Sequence, residues 1–249
     1  MPGQPSDAVT LAAGPRFLAV VPARGNSKRL PGKNTKPLAG KPLIAWTIEG
    51  ALASGTFVDV LVTTDSREIA DVAVRHGGTV PGLRPPELAT DAATSLDVLV
   101  HAVRTYLAGG GRPVDGVMLL QPTSPFRRPE TIRRAVERFR TTGGQSVVGV
   151  SPAATHPYWC LVLDEKNGLQ PFASESGLAM NSQSLPPVYA VNGVLYLVAT
   201  AHLLTNNELY TRPFWPLVID DPVECLDIDT PFDWAIAETF SERLREHQS

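Results

Sequence analysis

Arg24, Lys28, Arg29 and Lys33 lie within ten positions of one another, in a loop that also carries Gly25 and Gly32. An apolar run, 17–21, leads into it through Pro22. A buried strand that empties into a cationic, glycine-bearing loop suits a polyphosphate. Glycine lets backbone N–H groups turn inward around an anion, and the cations neutralise several phosphate charges together. The spacing is not the G-x-x-x-x-G-K-[ST] of the P-loop, and no G-x-G-x-x-G is present, so ordinary NTPase and dinucleotide chemistry have little support. A solvated basic loop is the plain alternative.

Near the other end of the chain, Asp227 and Asp229 stand two residues apart. In an extended segment they share a side, because side chains alternate with period two. Adjacent carboxylates repel unless a cation lies between them, and Mg²⁺ commonly takes one or two carboxylates with phosphates and water. The competing reading makes Asp229 or Thr230 the N-cap of a helix. Two further loops carry polar groups: Arg84 heads a proline-stiffened stretch, 83–91, and Gln121 ends an apolar run beside Thr123 and Ser124. Glutamine donates and accepts at once, which suits the edge of a base. Capping of a proline turn explains it equally well.

The elements that must position these groups can be read from hydrophobic pattern. Nearly continuous apolar runs at 17–21, 58–63, 116–120 and 146–150 have the length of strands covered on both faces. Helical patterns at 42–53, 66–76, 95–107 and 129–140 alternate with them, with Ser66 and Thr94 as N-caps and Pro129 in a first turn. This predicts an α/β fold, a doubly wound, mainly parallel sheet whose ligands bind at the carboxyl ends of its strands. After Ser151 the pattern changes to a hairpin, 160–163 with 169–172, then strands at 194–198 and 217–219 and a closing helix from Pro231 to about Glu246. The organisation is a mobile tail over 1–16 and a single domain over 17–249. An antiparallel excursion, about 151–215, is suited to a second substrate or a dimer contact.

Composition narrows the function classes. A chain of 249 residues with 43% hydrophobic and 19% charged residues is ordinary for a soluble globular protein. A formal net charge of −3 gives no overall attraction to nucleic acid. No apolar run reaches membrane-spanning length and no secretion signal opens the chain, so a cytoplasmic location is expected. Cys160 and Cys225 are isolated, without metal-type spacing, and are expected to be reduced. The five histidines form no H-x-x-x-H pair and no G-x-S-x-G elbow accompanies them, which leaves a hydrolase triad with little support.

Five motifs in order, A-R-G-N-S-K-R-L-P-G-K-N at 23–34, R-P-P-E-L-A-T-D at 84–91, L-L-Q-P-T-S-P at 119–125, N-G-V-L-Y at 192–196 and D-I-D-T at 227–230, resemble the acylneuraminate cytidylyltransferases. These are the CMP-sialic acid synthetases and their relatives acting on other nonulosonic acids, and the resemblance covers essentially 17–240. It implies a Rossmann-like nucleotidyltransferase domain with a small dimerisation excursion, CTP as donor, a small acidic acceptor, Mg²⁺, a homodimer, and neither nucleic acid nor membrane as partner. Carried over residue by residue, Ala23, Arg24, Ser27, Lys33 and Asn34 would hold triphosphate and ribose, and Arg84, Ala93 and Ser95 the cytosine and sugar. Asp227 and Asp229 would be metal ligands, catalytic together with Lys33 and Arg24. Gln121, Thr123, Ser124, Arg127, Gln183 and Asn192 would face the acceptor.

The acceptor half departs from the family. Between Thr141 and Thr211 the only Lys or Arg is Lys166. Relatives acting on sialic acid place cations for the sugar carboxylate where this chain has Trp159, Cys160, Asn181, Ser182 and Ala190. A carboxylate in an apolar pocket needs a paired donor. Either Arg127, Arg128 or a partner subunit supplies it, or the acceptor is another ulosonic acid or a phosphonate. A nucleotide-sugar glycosyltransferase and a lapsed nucleotide-binding protein are the competing classes. The first is disfavoured because the strand ending at Gln121 lacks the D-x-D such enzymes carry there.

Overall fold

A computed structural model describes residues 15–246; most of the tail expected over 1–16 lies outside the described residues. The strands in chain order are β1 (Phe17–Pro22), β2 (Pro37–Leu38), β3 (Lys41–Pro42), β4 (Phe57–Thr63), β5 (Gly116–Leu119), β6 (Val147–Pro152), β7 (Leu161–Leu163), β8 (Leu169–Pro171), β9 (Tyr189–Ala199) and β10 (Trp215–Val218). The helices are α1 (Leu43–Ser54), α2 (Arg67–Arg75), α3 (Ser95–Ala108), α4 (Pro129–Thr141), α5 (Glu175–Leu178), α6 (Thr200–Asn206) and α7 (Pro231–Glu246).

Six strands form the central sheet in the order β10-β6-β9-β5-β1-β4. The pairs β1–β4, β1–β5 and β6–β10 are parallel, whereas β9 runs antiparallel to both β5 and β6. The strand expected over 194–198 is therefore longer than its apolar run, because its first residues, Tyr189 to Val191, are exposed and pair only with β6. Alternation along β1 sends Phe17, Ala19 and Val21 to one face, against α1, α2 and α4, and Leu18 and Val20 to the other, against α3 and α6. Both faces are covered, which is why β1 reads as unbroken apolar sequence.

Helix starts follow local chemistry. Ser66 Oγ accepts from Ile69 N at 3.4 Å ahead of α2, and Thr94 with Asp97 forms a capping box ahead of α3. Pro129 occupies the first turn of α4. The expected hairpin is β7–β8, with Asn167 at positive φ in its turn.

A third apolar cluster ties the two ends of the chain together. Leu30 and Leu38 from the basic loop region pack with Phe126, Ile228 and Trp234. Lys36 Nζ lies 4.1 Å over the Trp234 ring. Trp234 is 3% exposed, and cutting a buried Trp to Ala costs about 3–5 kcal/mol. Trp234→Ala is expected to lose about that much in denaturant unfolding. A loss below about 1 kcal/mol would show that α7 does not support the basic loop.

Candidate active site

The carboxyl ends of β1, β4 and β5 open into a cavity of about 420 Å³ with an adjoining lobe of about 250 Å³. Arg24, Arg29, Lys33, Asn34, Asp91 and Asp229 border both. Ala23 N donates to Thr63 O at 3.0 Å, so the β1–β4 ladder continues to Ala23 and the loop leaves the sheet only at Arg24. Asn34 Nδ2 then donates to Arg24 O at 3.0 Å and staples the end of the loop to its beginning. Gly25 N donates to Asp65 Oδ1 at 2.9 Å. A Cβ on Gly25 would come within 3.1 Å of Ser66 Cβ, so the loop runs close against the start of α2.

Two carboxylates are shared among the four cations of the loop. Lys33 Nζ lies 2.8 Å from Asp229 Oδ1 and 3.1 Å from Ile228 O, and Arg29 lies 2.7 Å from Asp229 Oδ2. On the opposite rim Asp91 takes Arg24 at 2.7 Å and Lys28 at 2.5 Å. The Asp91 pairs are exposed, so solvent screens them and little is lost when an anion displaces them. The Lys33 side chain is 12% exposed, and its pair is the sheltered one.

Thr230, not Asp229, caps the closing helix. Thr230 Oγ1 accepts from Asp233 N at 3.2 Å, and Asp233 Oδ2 accepts from Thr230 N at 2.7 Å. Asp229 thereby keeps both carboxylate oxygens for the cavity. Ile228 N donates to Thr123 O at 2.8 Å, which brings Asp227 and Thr123 onto one wall. Burial pushes the Asp227 carboxyl above the usual carboxylate range. The Asp229 charge pushes the same way, while a hydrogen bond from Thr123 and the Lys33 charge oppose it. No cluster of three or more His, Cys, Asp or Glu side chains occurs among the described residues. Two carboxylates with one of them short of positive charge do fit a hard cation that completes its shell with phosphate and water.

Another wall of the cavity is built by the two loops after β4. Arg84 is buried; its N donates to Thr64 O at 2.7 Å, and its Nη2 lies 3.6 Å from Asp65 Oδ1. Burial lowers the Arg84 pKa and Asp65 works against that. Arg84 Nε is buried and has no partner among the described residues. Ala93 and Ser95, at the start of α3, complete this wall, and Ser27 lines the adjoining lobe.

On the acceptor side only Gln121 and Thr123 of the expected residues reach the cavity wall. Ser124 is fully buried. Arg127 is 5% exposed and bonded to backbone, and Arg128 pairs with Asp221, so neither presents a free guanidinium for a substrate carboxylate. That expectation is corrected: the β5–α4 connection turns both side chains away from the cavity. Gln183 lies exposed in the 3₁₀ turn Ser182–Ser184. Asn192 spends its amide on Ser151 Oγ at 2.9 Å and on Val194 N at 3.1 Å. Sequence reasoning assigned no role to Asp65 or Asp91, and took Arg29 only as one of the cations of the basic loop. Asp91 closes the R-P-P-E-L-A-T-D motif, and Asp65 lies just past the carboxyl end of β4, where ligands are expected.

A match to the cytidylyltransferase family runs over residues 18–189. The chain belongs to the cytidylyltransferase family. It is 45% identical over 231 residues to CMP-N,N'-diacetyllegionaminic acid synthase of Legionella pneumophila, covering 93% of this chain and 98% of that protein. It is 34% identical to N-acylneuraminate cytidylyltransferase of Escherichia coli over 92% of this chain, and spans 52% of that longer protein. The solved structure of CMP:2-keto-3-deoxy-manno-octonic acid synthetase with CTP superposes with a TM-score of 0.68, covering 93% of this chain and 99% of that one at 18% identity, which shows a shared fold.

For this cytidylyltransferase the raised Asp227 carboxyl has a measurable consequence. A carboxylate whose folded pKa lies above its unfolded value costs stability in full above the folded pKa; the cost shrinks as pH falls below that value and is gone only below the unfolded pKa. In the presence of a chelator, Asp227→Asn is expected to raise Tm at neutral pH. The Tm gain should shrink on acidification. A lower Tm at neutral pH would contradict the strained-carboxylate reading.

Proposed function

We propose that this cytidylyltransferase transfers CMP from CTP to the anomeric hydroxyl of a nonulosonic acid of the diacetyllegionaminic type, with release of pyrophosphate. The observation that carries the reading is the meeting of Lys33, Asp227 and Asp229 on one wall with Gln121 and Thr123. The near full-length similarity to the Legionella synthase supports the acceptor class. The absence of Lys or Arg from 167 to 211 supports an acceptor held differently from N-acetylneuraminate.

The acceptor oxygen attacks the α-phosphorus and the bond to the β-phosphate oxygen breaks, so the protein's task is positioning and charge stabilisation. Lys33, released from Asp229 by the incoming phosphates, stabilises charge on the α-phosphate. Arg24 and Lys28, released from Asp91, hold the departing pyrophosphate. Arg84 and Ser95 line the cavity on the side assigned to the cytosine. Asp227 and Asp229 are the residues that would hold Mg²⁺, which would supply further neutralisation of phosphate charge.

We also assign the excursion to a homodimer contact. Leu163, Leu169 and Phe172 are each about two-thirds exposed, a concentration of apolar side chains that marks a partner surface. A cytoplasmic location agrees with the free thiols of Cys160 and Cys225 and with the use of CTP. No helix among the described residues is long and apolar enough to cross a membrane.

Pyrophosphate release is the deciding assay, with Mg²⁺ and each of CTP, ATP, GTP and UTP against N,N'-diacetyllegionaminate, N-acetylneuraminate, other ulosonic acids and phosphonates. CTP with the diacetylated nonulosonic acid is expected to be the best pair. Preference for N-acetylneuraminate or a phosphonate would overturn the acceptor assignment, and silence with every acceptor would overturn the activity. Lys33→Ala is expected to lower turnover by about 10²–10³, the cost of losing a donor aimed at transition-state charge. Unchanged turnover would remove Lys33 from the mechanism.

A further inference from the structure

The β5–β9 ladder stops one step before the acceptor wall. Its last pair is Leu119 opposite Tyr196, and the same antiparallel register carried two residues on would place Gln121 opposite Val194. There β5 gives way to Gln121-Pro122, and proline has no N–H to donate. At the same level β9 departs from regular geometry: Gly193 has φ of +75°, and the β6–β9 register shifts between Val148 and Val150. The carbonyls of Gln121 and Val194 thus lie where strand hydrogen bonding has ended, and among the described residues Gln121 O accepts from the backbone only the turn bond of Ser124 N, at 3.3 Å. One guanidinium serves both: Arg127 Nε donates to Val194 O at 2.5 Å and Arg127 Nη2 donates to Gln121 O at 3.1 Å.

We propose that Arg127 is a positioning residue for the acceptor half of the site: its guanidinium replaces the missing ladder rung and holds Gln121 in register with the Asn192-Gly193-Val194 bulge. A buried cation is costly unless its donors are used. Arg127 places Nε and Nη2 on these carbonyls and leaves Nη1 buried without a partner among the described residues, while Glu224, itself buried beside the start of α4, supplies the opposing charge. The bulge must come close for this to work. A Cβ on Gly193 would lie 3.2 Å from Gln121 Oε1, so the side chain on the cavity wall rests against the glycine. Arg127 is therefore tied to the acceptor through Gln121 and the bulge, without touching it. A lysine would keep the charge but cannot span both carbonyls, because its single ammonium lacks the planar fork.

This inference rests on the acceptor reading above, and the test separates the two. Wild type, Arg127→Lys and Gly193→Ala are compared by steady-state kinetics and by hydrogen–deuterium exchange of the free proteins. Arg127→Lys is expected to raise the acceptor KM about tenfold while kcat and the CTP KM stay within about twofold. Exchange should rise in segments 119–125 and 190–196 and stay unchanged in α1. Equal loss across acceptor KM, CTP KM and kcat, or unchanged protection in both segments, would overturn the proposal. Should Arg127→Lys fail to fold, Gly193→Ala carries the test, since it disturbs Gln121 and leaves the guanidinium in place. A selective rise in acceptor KM supports the proposal, and a parallel rise in the CTP KM overturns it. If the wild type turns over no nonulosonic acid, the functional reading fails, and the exchange data still decide the role of Arg127.

Discussion

A cationic loop and an acidic segment nearly two hundred residues apart have to meet at the carboxyl edge of one sheet, and the sheltered Lys33–Asp229 pair is where they do. Its partners are 196 positions apart in the chain. Neither charge could stay ordered there alone, since a half-buried ion without a counter-charge loses solvation and gains nothing in return. The pair is underwritten by apolar packing. Leu30 anchors the loop, Ile228 and Trp234 anchor the acidic segment, and all three lie in one cluster. Ile228 N on Thr123 O then fixes that segment to the end of β5.

The remaining electrostatics follow from that meeting. The four cations of the loop share two carboxylates, Asp91 and Asp229, so each is paired while the group keeps a net positive charge for a polyanion. Binding becomes an exchange of partners rather than the filling of a bare positive pocket, and desolvation of isolated charges is avoided. The exposed Asp91 pairs and the sheltered Asp229 pair differ in what they cost to open, because screening weakens the first and not the second. Asp227 is the exception. Burial and the neighbouring Asp229 leave it with unfavourable charge, the kind of stored cost that accompanies function more often than stability.

The Gln121 side of the cavity uses backbone where the side of the basic loop uses charge. With Lys166 the only Lys or Arg in 141–211, shape is set by a strand bulge, a proline turn and one buried guanidinium. Arg127 was expected to meet a substrate carboxylate. It is instead consumed by two carbonyls, because β5 ends in a proline-containing turn and its neighbour on β9 needs another donor.

Periodicity and caps made the α/β alternation legible: unbroken apolar runs mark strands covered on both faces, and Ser66, Thr94 and Pro129 mark helix starts through local hydrogen bonding and fixed φ. The cationic loop and the Asp227–Asp229 spacing were legible for the same reason, since both are patterns within a few residues. The antiparallel direction of β9, the roles of Asp65 and Asp91, and the withdrawal of Arg127 were not. Each depends on which carbonyl or cation a residue meets after the chain has folded back from tens of positions away. Local sequence determines what a segment can donate, accept or bury, and only tertiary packing decides which of those capacities is left free to face a substrate.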